Sequence, residues 1–287
     1  MTVPDFMTTR EVADLLRVKE RKVYDMAAEG TIPCRRVTGK LLFPRTELMA
    51  WLDADGPVAP APPDVVAGSH DPLLDWAIRE SGSGLATFFD GSLDGLGRIA
   101  DGQAIAAGLH VFEPDRGDWN IGLVSDRLGS APIVLVEWAR RQQGLILPAG
   151  SGVSEIADLT GRRVARRQAT AGAGLLFDHL LHAAGMDWGA LGTDPPTART
   201  ETEAAAAVAS GEADAAPGLQ AVARQFGLDF LPTQQERFDL IVNRRAWFEP
   251  AMQQLIGFAR SEVFAAKAGA LGGYDISGLG TVRWNAG

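Results

Sequence analysis

The chain has 287 residues, 46% hydrophobic and 22% charged, with 27 basic against 36 acidic residues and a net charge of −9. That composition excludes a disordered chain, and the length accommodates two domains. A lone cysteine, Cys34, excludes an intramolecular disulfide and fits a reducing compartment. No secretory leader is visible and no run of about 18 apolar residues could span a bilayer, so a cytoplasmic location without a membrane partner is expected.

Charge is unevenly placed. Residues 1–56 hold nine basic and nine acidic residues, and the remainder holds 18 and 27. Within the first part, Arg17 to Arg45 carries eight Lys or Arg against Glu20, Asp25 and Glu29. Contact with a polyanion is therefore expected from the first fifty residues, and not from the acidic remainder.

In chain order, Thr8 with Glu11 predicts a capping box opening a short helix through Val12, Leu15 and Leu16. A second helix is predicted from Glu20 to Glu29, ended by Gly30. The stretch IPCRRVTGKLLFP alternates about Thr38-Gly39-Lys40 as a two-stranded wing would, and RTELMAWL closes with another helix. Pro57, Pro60, Pro62 and Pro63 then resist helix and sheet, so the expected division is 1–55, an extended spacer at 56–64, and a second domain at 65–287.

The pattern of the first fifty residues resembles the excisionase-type winged helix-turn-helix, a relative of the MerR family. T-x-x-E-V-A-x-x-L is followed by V-Y-x-x-x-x-x-G, and the match covers residues 7–52. The resemblance implies double-stranded DNA as a partner, with Arg21, Lys22 and Tyr24 on the recognition helix and Arg35, Arg36 and Lys40 on the wing. Tyr24 may be read equally as a core residue.

From Val65 short apolar strands lead through Gly or Ser into helices: VVAGSHDPLLDW, GLATFFDGSLDGL, AIAAGLHVF, RRVARRQATAGAGLLFDHLL, and a helix followed by a strand at Ala213–Ala216. Such alternation predicts an α/β fold with open parallel sheets, whose ligands bind where helices begin. Ser69, Ser92 and Ala171 to Ala173 fall at such starts, where free amides and hydroxyls suit a small oxyanion. Asp71-Pro72 reads as a helix start rather than a catalytic carboxylate, and no catalytic constellation, P-loop or Gly-x-Ser-x-Gly elbow is found, so no enzyme is expected. His179 and His182 stand three apart without a third ligand, and no metal site is expected.

Residues 65–284 resemble a two-lobed type II periplasmic-binding-protein fold, specifically the molybdate/tungstate-binding-like domain found fused to cytoplasmic DNA-binding domains. GSHDPLLDW, DGSLDGL, RRQATAGAGLLFDHLL, SGEADAAPGLQAVARQFG and GGYDISGLGTV carry the resemblance. It implies ligand contacts from Ser69, Ser92, Ala171, Gly172, Ala173, the helix start at Thr202 and a turn at Pro217-Gly218. His70 and His110 lie at strand ends beside them, as anion donors or local caps. The chain departs from the family at Ala173, where a hydroxyl is usual, at Pro217, which lacks an amide, and in having no tyrosine on that wall. Molybdate, tungstate, a molybdenum-cofactor-like molecule or an organic ligand therefore all remain as effectors, with no covalent cofactor. Together the parts imply a homodimeric one-component transcriptional regulator; the alternative is an intracellular molybdate-binding or delivery protein that does not read DNA.

Overall fold

The computed structural model describes residues 6–37, 39–55, 61–192 and 197–286. Thr38 of the expected wing turn and Pro57 and Pro60 of the expected spacer lie outside them. The chain separates into two compact units, Met1–Ala61 and Pro62–Gly287.

The first unit opens on β1 (Phe6–Thr8), α1 (Thr9–Leu16) and α2 (Glu20–Ala28), then β2 (Arg35–Val37), β3 (Lys40–Pro44) and α3 (Arg45–Asp55). Thr8 accepts from Glu11 N–H, and the Glu11 side chain accepts from Thr8 N–H at 2.7 Å, which is the expected capping box. Gly30 at φ +70° reverses the chain after α2, letting Thr31 N–H donate to Met26 O at 3.0 Å. The wing has one strand more than its sequence pattern announced, because β1 pairs with β3 on the side away from β2. Val12, Val23, Phe43 and Leu48 are fully buried and hold helices and sheet together.

The second unit begins with three strand–helix steps: β4 (Val65–Gly68) to α4 (Pro72–Glu80), β5 (Ala86–Phe89) to α5 (Ser92–Ala100), and β6 (Ala106–Leu109). A small hairpin, β7 (Phe112–Glu113) and β8 (Asp118–Trp119), leads into α6 (Ile121–Leu128) and the long β9 (Ile133–Leu147). The second lobe is built from α7 (Gly172–Ala183), α8 (Glu201–Ala209), β10 (Ala216–Leu219) and α9 (Gln220–Gln225). The equally long β11 (Asp229–Asn243) returns to the first lobe, where α10 (Pro250–Ala259), α11 (Glu262–Leu271), β12 (Tyr274–Asp275) and β13 (Val282–Asn285) finish the chain.

The strands run in the order β10-β9-β11-β6-β4-β5, with β12 and β13 also on β9. Among the named strands only β4 with its neighbours β5 and β6 is parallel; β9, β10 and β11 pair antiparallel, so the expectation of open parallel sheets holds only in part. The reason is topological: β9 and β11 run in opposite directions between the lobes, and both belong to the one eight-stranded sheet. The strand expected at Ala213–Ala216 begins at Ala216, and Pro217-Gly218, expected as a turn, lies within it. Among named strands β10 pairs only with β9, and a proline is tolerated at such a position.

Asp239 is buried on β11 between Arg237 Nε at 2.9 Å and Asn120 Nδ2 at 2.8 Å. Burial pushes its carboxyl up to about 6 despite the arginine. A pKa raised above the unfolded value favours the fold below that unfolded value and withdraws the contribution as pH rises through the folded one. Stability is therefore expected to fall by about 2 kcal/mol between pH 4 and pH 6 from this group, out of about 3 kcal/mol over its whole titration. Denaturant unfolding across that window should show the slope, and Asp239→Asn should flatten it.

Candidate functional site

The cleft lies where the helix-bearing strand ends of the two lobes meet. Asp71 caps α4 by accepting Leu74 N–H at 2.6 Å, with Pro72 at the first helical position, as the sequence predicted. Gly91 caps α5, so Ser92 is its first residue, and Ala171 precedes α7, so Gly172 and Ala173 are its first two. Their amides have no carbonyl of their own helix to bind and are available to an anion. Thr200 caps α8, which places Glu201 and Thr202 in its first turn.

The lobes are in contact across this cleft. Leu93 N–H donates to Thr170 O at 3.1 Å, and Thr170 Oγ1 donates to Asp90 O at 3.1 Å. A Cβ built on Gly172 would lie 2.5 Å from His110 O and 3.0 Å from its ring, so only glycine permits this approach.

Ser69 and Ser92 share a hydrogen bond of 2.8 Å between their hydroxyls, both buried, and His110 N–H donates to Ser92 Oγ at 3.3 Å. His70 is edge-on to Phe89, and burial pushes its imidazole below the usual value, so it enters the site uncharged at neutral pH. With Thr202 it lines a cavity of about 500 Å³ together with Trp76, Arg224 and Lys267. Gly218 sits on the β10 wall, where its Cβ position is 3.1 Å from Glu201 Oε2. Of the residues predicted from sequence, His70 and Thr202 line this cavity, Ser69 and Ser92 are bonded to one another, and Gly172 approaches His110.

Behind that wall runs a buried charge network that the sequence did not announce. His110 Nδ1 lies 2.8 Å from Glu236 Oε2, Glu236 is ion-paired with Arg141, and Arg141 NH1 is 3.0 Å from Asp71 Oδ2. Tyr274 donates its hydroxyl to the same Asp71 oxygen at 2.6 Å, so the tyrosine of this unit serves a carboxylate behind the first-lobe turn. Burial would lower the guanidinium of Arg141, but Glu236 and Asp71 outweigh it and hold the charge. Burial would raise Glu236, yet Arg141 and His110 keep it below the ordinary carboxylate range. These residues are scattered over β9, β11, a turn and β12; the pairing of Arg141 with Glu236 on one side and Tyr274 on the other joins them, and no local motif encodes that.

His70 Nδ1, Gln143 Nε2, Gln168 Nε2 and Glu201 Oε2 are among the buried polar atoms that lack hydrogen-bond partners among the described residues. Buried polar groups are ordinarily paired, and an orphan group at a cleft marks where a ligand atom belongs. No group of three metal-ligating side chains is found among the described residues; His182 instead places Nδ1 2.9 Å from Asp178 O, and His179 packs on Phe112.

In the first unit Tyr24 is 51% exposed, so it is not a core residue, while Val23 beside it is buried. Arg21 and Lys22 are exposed on the same helix, as are Arg35, Arg36 and Lys40 on the wing. Arg35 also pairs with Glu47 at 2.7 Å.

Residues 76–260 match the model of the PBP superfamily domain. The chain belongs to the PBP superfamily. Residues 6–55 match the model of a helix-turn-helix domain, so the PBP domain follows a DNA-binding type of unit. The uncharacterized protein YvgK of Bacillus subtilis (strain 168) is 26% identical over 305 residues, covering 96% of both chains, and so shares both units. Among solved structures, the PBP domain is similar to a Clostridium perfringens protein described as a phosphate ABC transporter substrate-binding protein, with bound phosphate. That match has a TM-score of 0.54 at 12% identity and covers 72% of this chain and 96% of the other. PhnD1 of Prochlorococcus marinus, in complex with methylphosphonate, gives a TM-score of 0.51 at 10% identity over 75% and 92% of the two chains. Such likeness establishes the two-lobed PBP fold. Among the described residues no helix is long and apolar enough to cross a membrane.

Proposed function

We propose that this protein is a ligand-responsive transcriptional regulator that acts in the cytoplasm as a homodimer on double-stranded DNA, without enzymatic turnover. The observation that carries the reading is the joining in one chain of an exposed basic helix-turn-helix unit to a cleft rimmed by helix N-termini and orphan buried polar groups. The cleft suits a small oxyanion, because helix amides and paired serine hydroxyls can neutralise charge, and Arg224 and Lys267 line the cavity beside His70 and Thr202. Molybdate and tungstate are candidate effectors from the sequence resemblance; phosphate and phosphonate join them from the ligands of the two similar binding proteins. Closure of the lobes on the ligand would alter operator affinity, and a dimer supplies the two recognition helices that a specific site needs.

The test is fluorescence anisotropy of the full chain on duplexes selected from genomic fragments, with and without each oxyanion. Arg21→Ala with Lys22→Ala is expected to weaken DNA binding at least about tenfold and to reduce its salt dependence, while oxyanion binding by calorimetry is unchanged. DNA retention equal to wild type in that variant, or indifferent to every oxyanion that binds, would overturn the proposal.

A further inference from the structure

We infer that the cavity lined by Trp76, Arg224 and Lys267 seats a flat organic anion, with its ring on the indole and its charged group facing the two cations. The inference rests on the reading of this chain as a ligand-responsive regulator with an anion-binding cleft, and it names the class of ligand.

Where α5 meets α7 the lobes leave no room. Leu93 N–H donates to Thr170 O across the gap, and a Cβ on Gly91 would stand 2.8 Å from that same oxygen. The open space lies to one side, where α4 and α11 of the first lobe face α9 and the start of α8 of the second. Its volume is about 500 Å³. Water takes about 30 Å³ per molecule, so a lone tetrahedral anion would leave most of this space wet. Cavities of about 300–1,000 Å³ are the ordinary size for an organic ligand.

The lining divides into two chemistries. Trp76, Ala221, Ala270 and Leu271 supply apolar surface. Phe258 and Phe264 back the Trp76 ring, with centroids 5.3 and 6.5 Å away, and fix its plane. Three cations stand beside this surface. Arg79 is paired with Asp75 one turn back on its own helix. Arg224 and Lys267, on opposite lobes, have no carboxylate partner among the described residues. Lys267 Nζ lies 5.4 Å from the centre of the Trp76 ring. Helix α9 packs against α11, and a Cβ on Gly272 at the end of α11 would stand 2.9 Å from Arg224 NH1. Glycine there lets the guanidinium lie close over the end of the helix that carries Lys267.

An indole held flat beside two unpaired cations is the complement of an aromatic ring bearing a phosphate, phosphonate or carboxylate. The ring takes apolar wall out of water and gains a stacking partner. The anion gains charge-assisted bonds from both lobes and so favours the arrangement that brings them together. A bare oxyanion satisfies only the second half of the lining, and a neutral ring only the first.

Calorimetry and tryptophan fluorescence of the full chain with phenylphosphonate, methylphosphonate and neutral benzamide test this. Phenylphosphonate is expected to bind at least about tenfold more tightly than either of the others, and to change the fluorescence. Trp76→Leu should abolish that change and reduce phenylphosphonate to the affinity of methylphosphonate. Lys267→Met, a partly exposed position outside the core, should weaken phenylphosphonate at least about tenfold and lower the salt dependence of its binding. Equal affinity for the two phosphonates, a ring preference that survives Trp76→Leu, or native affinity in Lys267→Met would overturn the inference and leave the anion cleft standing. Binding as expected, with DNA affinity indifferent to phenylphosphonate, would support the inference and overturn the regulator reading. Absence of binding by both phosphonates would overturn the inference outright.

Discussion

Arg141→Met is expected to destabilise the second unit by about 3–5 kcal/mol, the range for breaking one side of a buried ion pair. The guanidinium is fully buried, 4.2 Å above the Phe238 ring, and neutralises Glu236 and Asp71 together. Methionine fills much of the same volume, so lost packing explains little; the cost comes from two carboxylates left in a dry interior. Thermal unfolding followed by tryptophan fluorescence should show a midpoint lowered by roughly 6–20 °C. The pH dependence should also change sign. In the native chain Glu236 has a depressed pKa, so its contribution is present above the unfolded value and is lost as pH falls through the folded one. Without Arg141 only His110 still opposes burial at Glu236, so that carboxyl should rise and part of the loss should be recovered on acidification. A variant as stable as the native chain at neutral pH would show that the network is dispensable.

Gly172→Ala is expected to separate stability from affinity. Alanine at the first residue of α7 restricts the unfolded chain, which is expected to raise the stability of the ligand-free protein by about 0.5–1 kcal/mol once the lobes part enough to relieve its contact with His110. In the arrangement of the lobes seen here the added carbon meets His110 O at 2.5 Å, a backbone atom that cannot swing aside. Ligand affinity should fall by about 100-fold, close to 3 kcal/mol, as closure is blocked. Calorimetry with the tightest-binding oxyanion, paired with melting curves, checks both directions; wild-type affinity in this variant would mean that ligand is held without that contact.

Local chemistry made much of this molecule legible. Thr8 with Glu11, Asp71-Pro72 and Gly30 each mark an element end through bonds spanning only a few residues, and each mark is found in place. Ser69 and Ser92 could be nominated together because both follow a strand and precede or begin a helix, although their direct contact could not. What stayed hidden is non-local. Arg141 and Glu236 stand in polar stretches, ARRQQ and TQQERFD, where a charge reads as a solvated face, and only the pairing of the two long strands turns each into the partner of the other. Glu201 read as one of several acidic residues opening a helix, a common stabilising choice, until burial of its unpaired oxygen set it apart. The third strand of the wing was missed because three residues, Phe6–Thr8, are too few to display alternation.

The two long strands have one further consequence. Their ladder slips twice, between Pro232 and Gln234 and between Phe238 and Asp239, and the Arg141–Glu236 pair lies between the slips. Such irregularities concentrate twist and bending. The connection between the lobes thus resembles a leaf spring riveted at its middle. It is stiff along most of its length and compliant at two short places, so the lobes would open by turning about a charged fastener that never has to come undone.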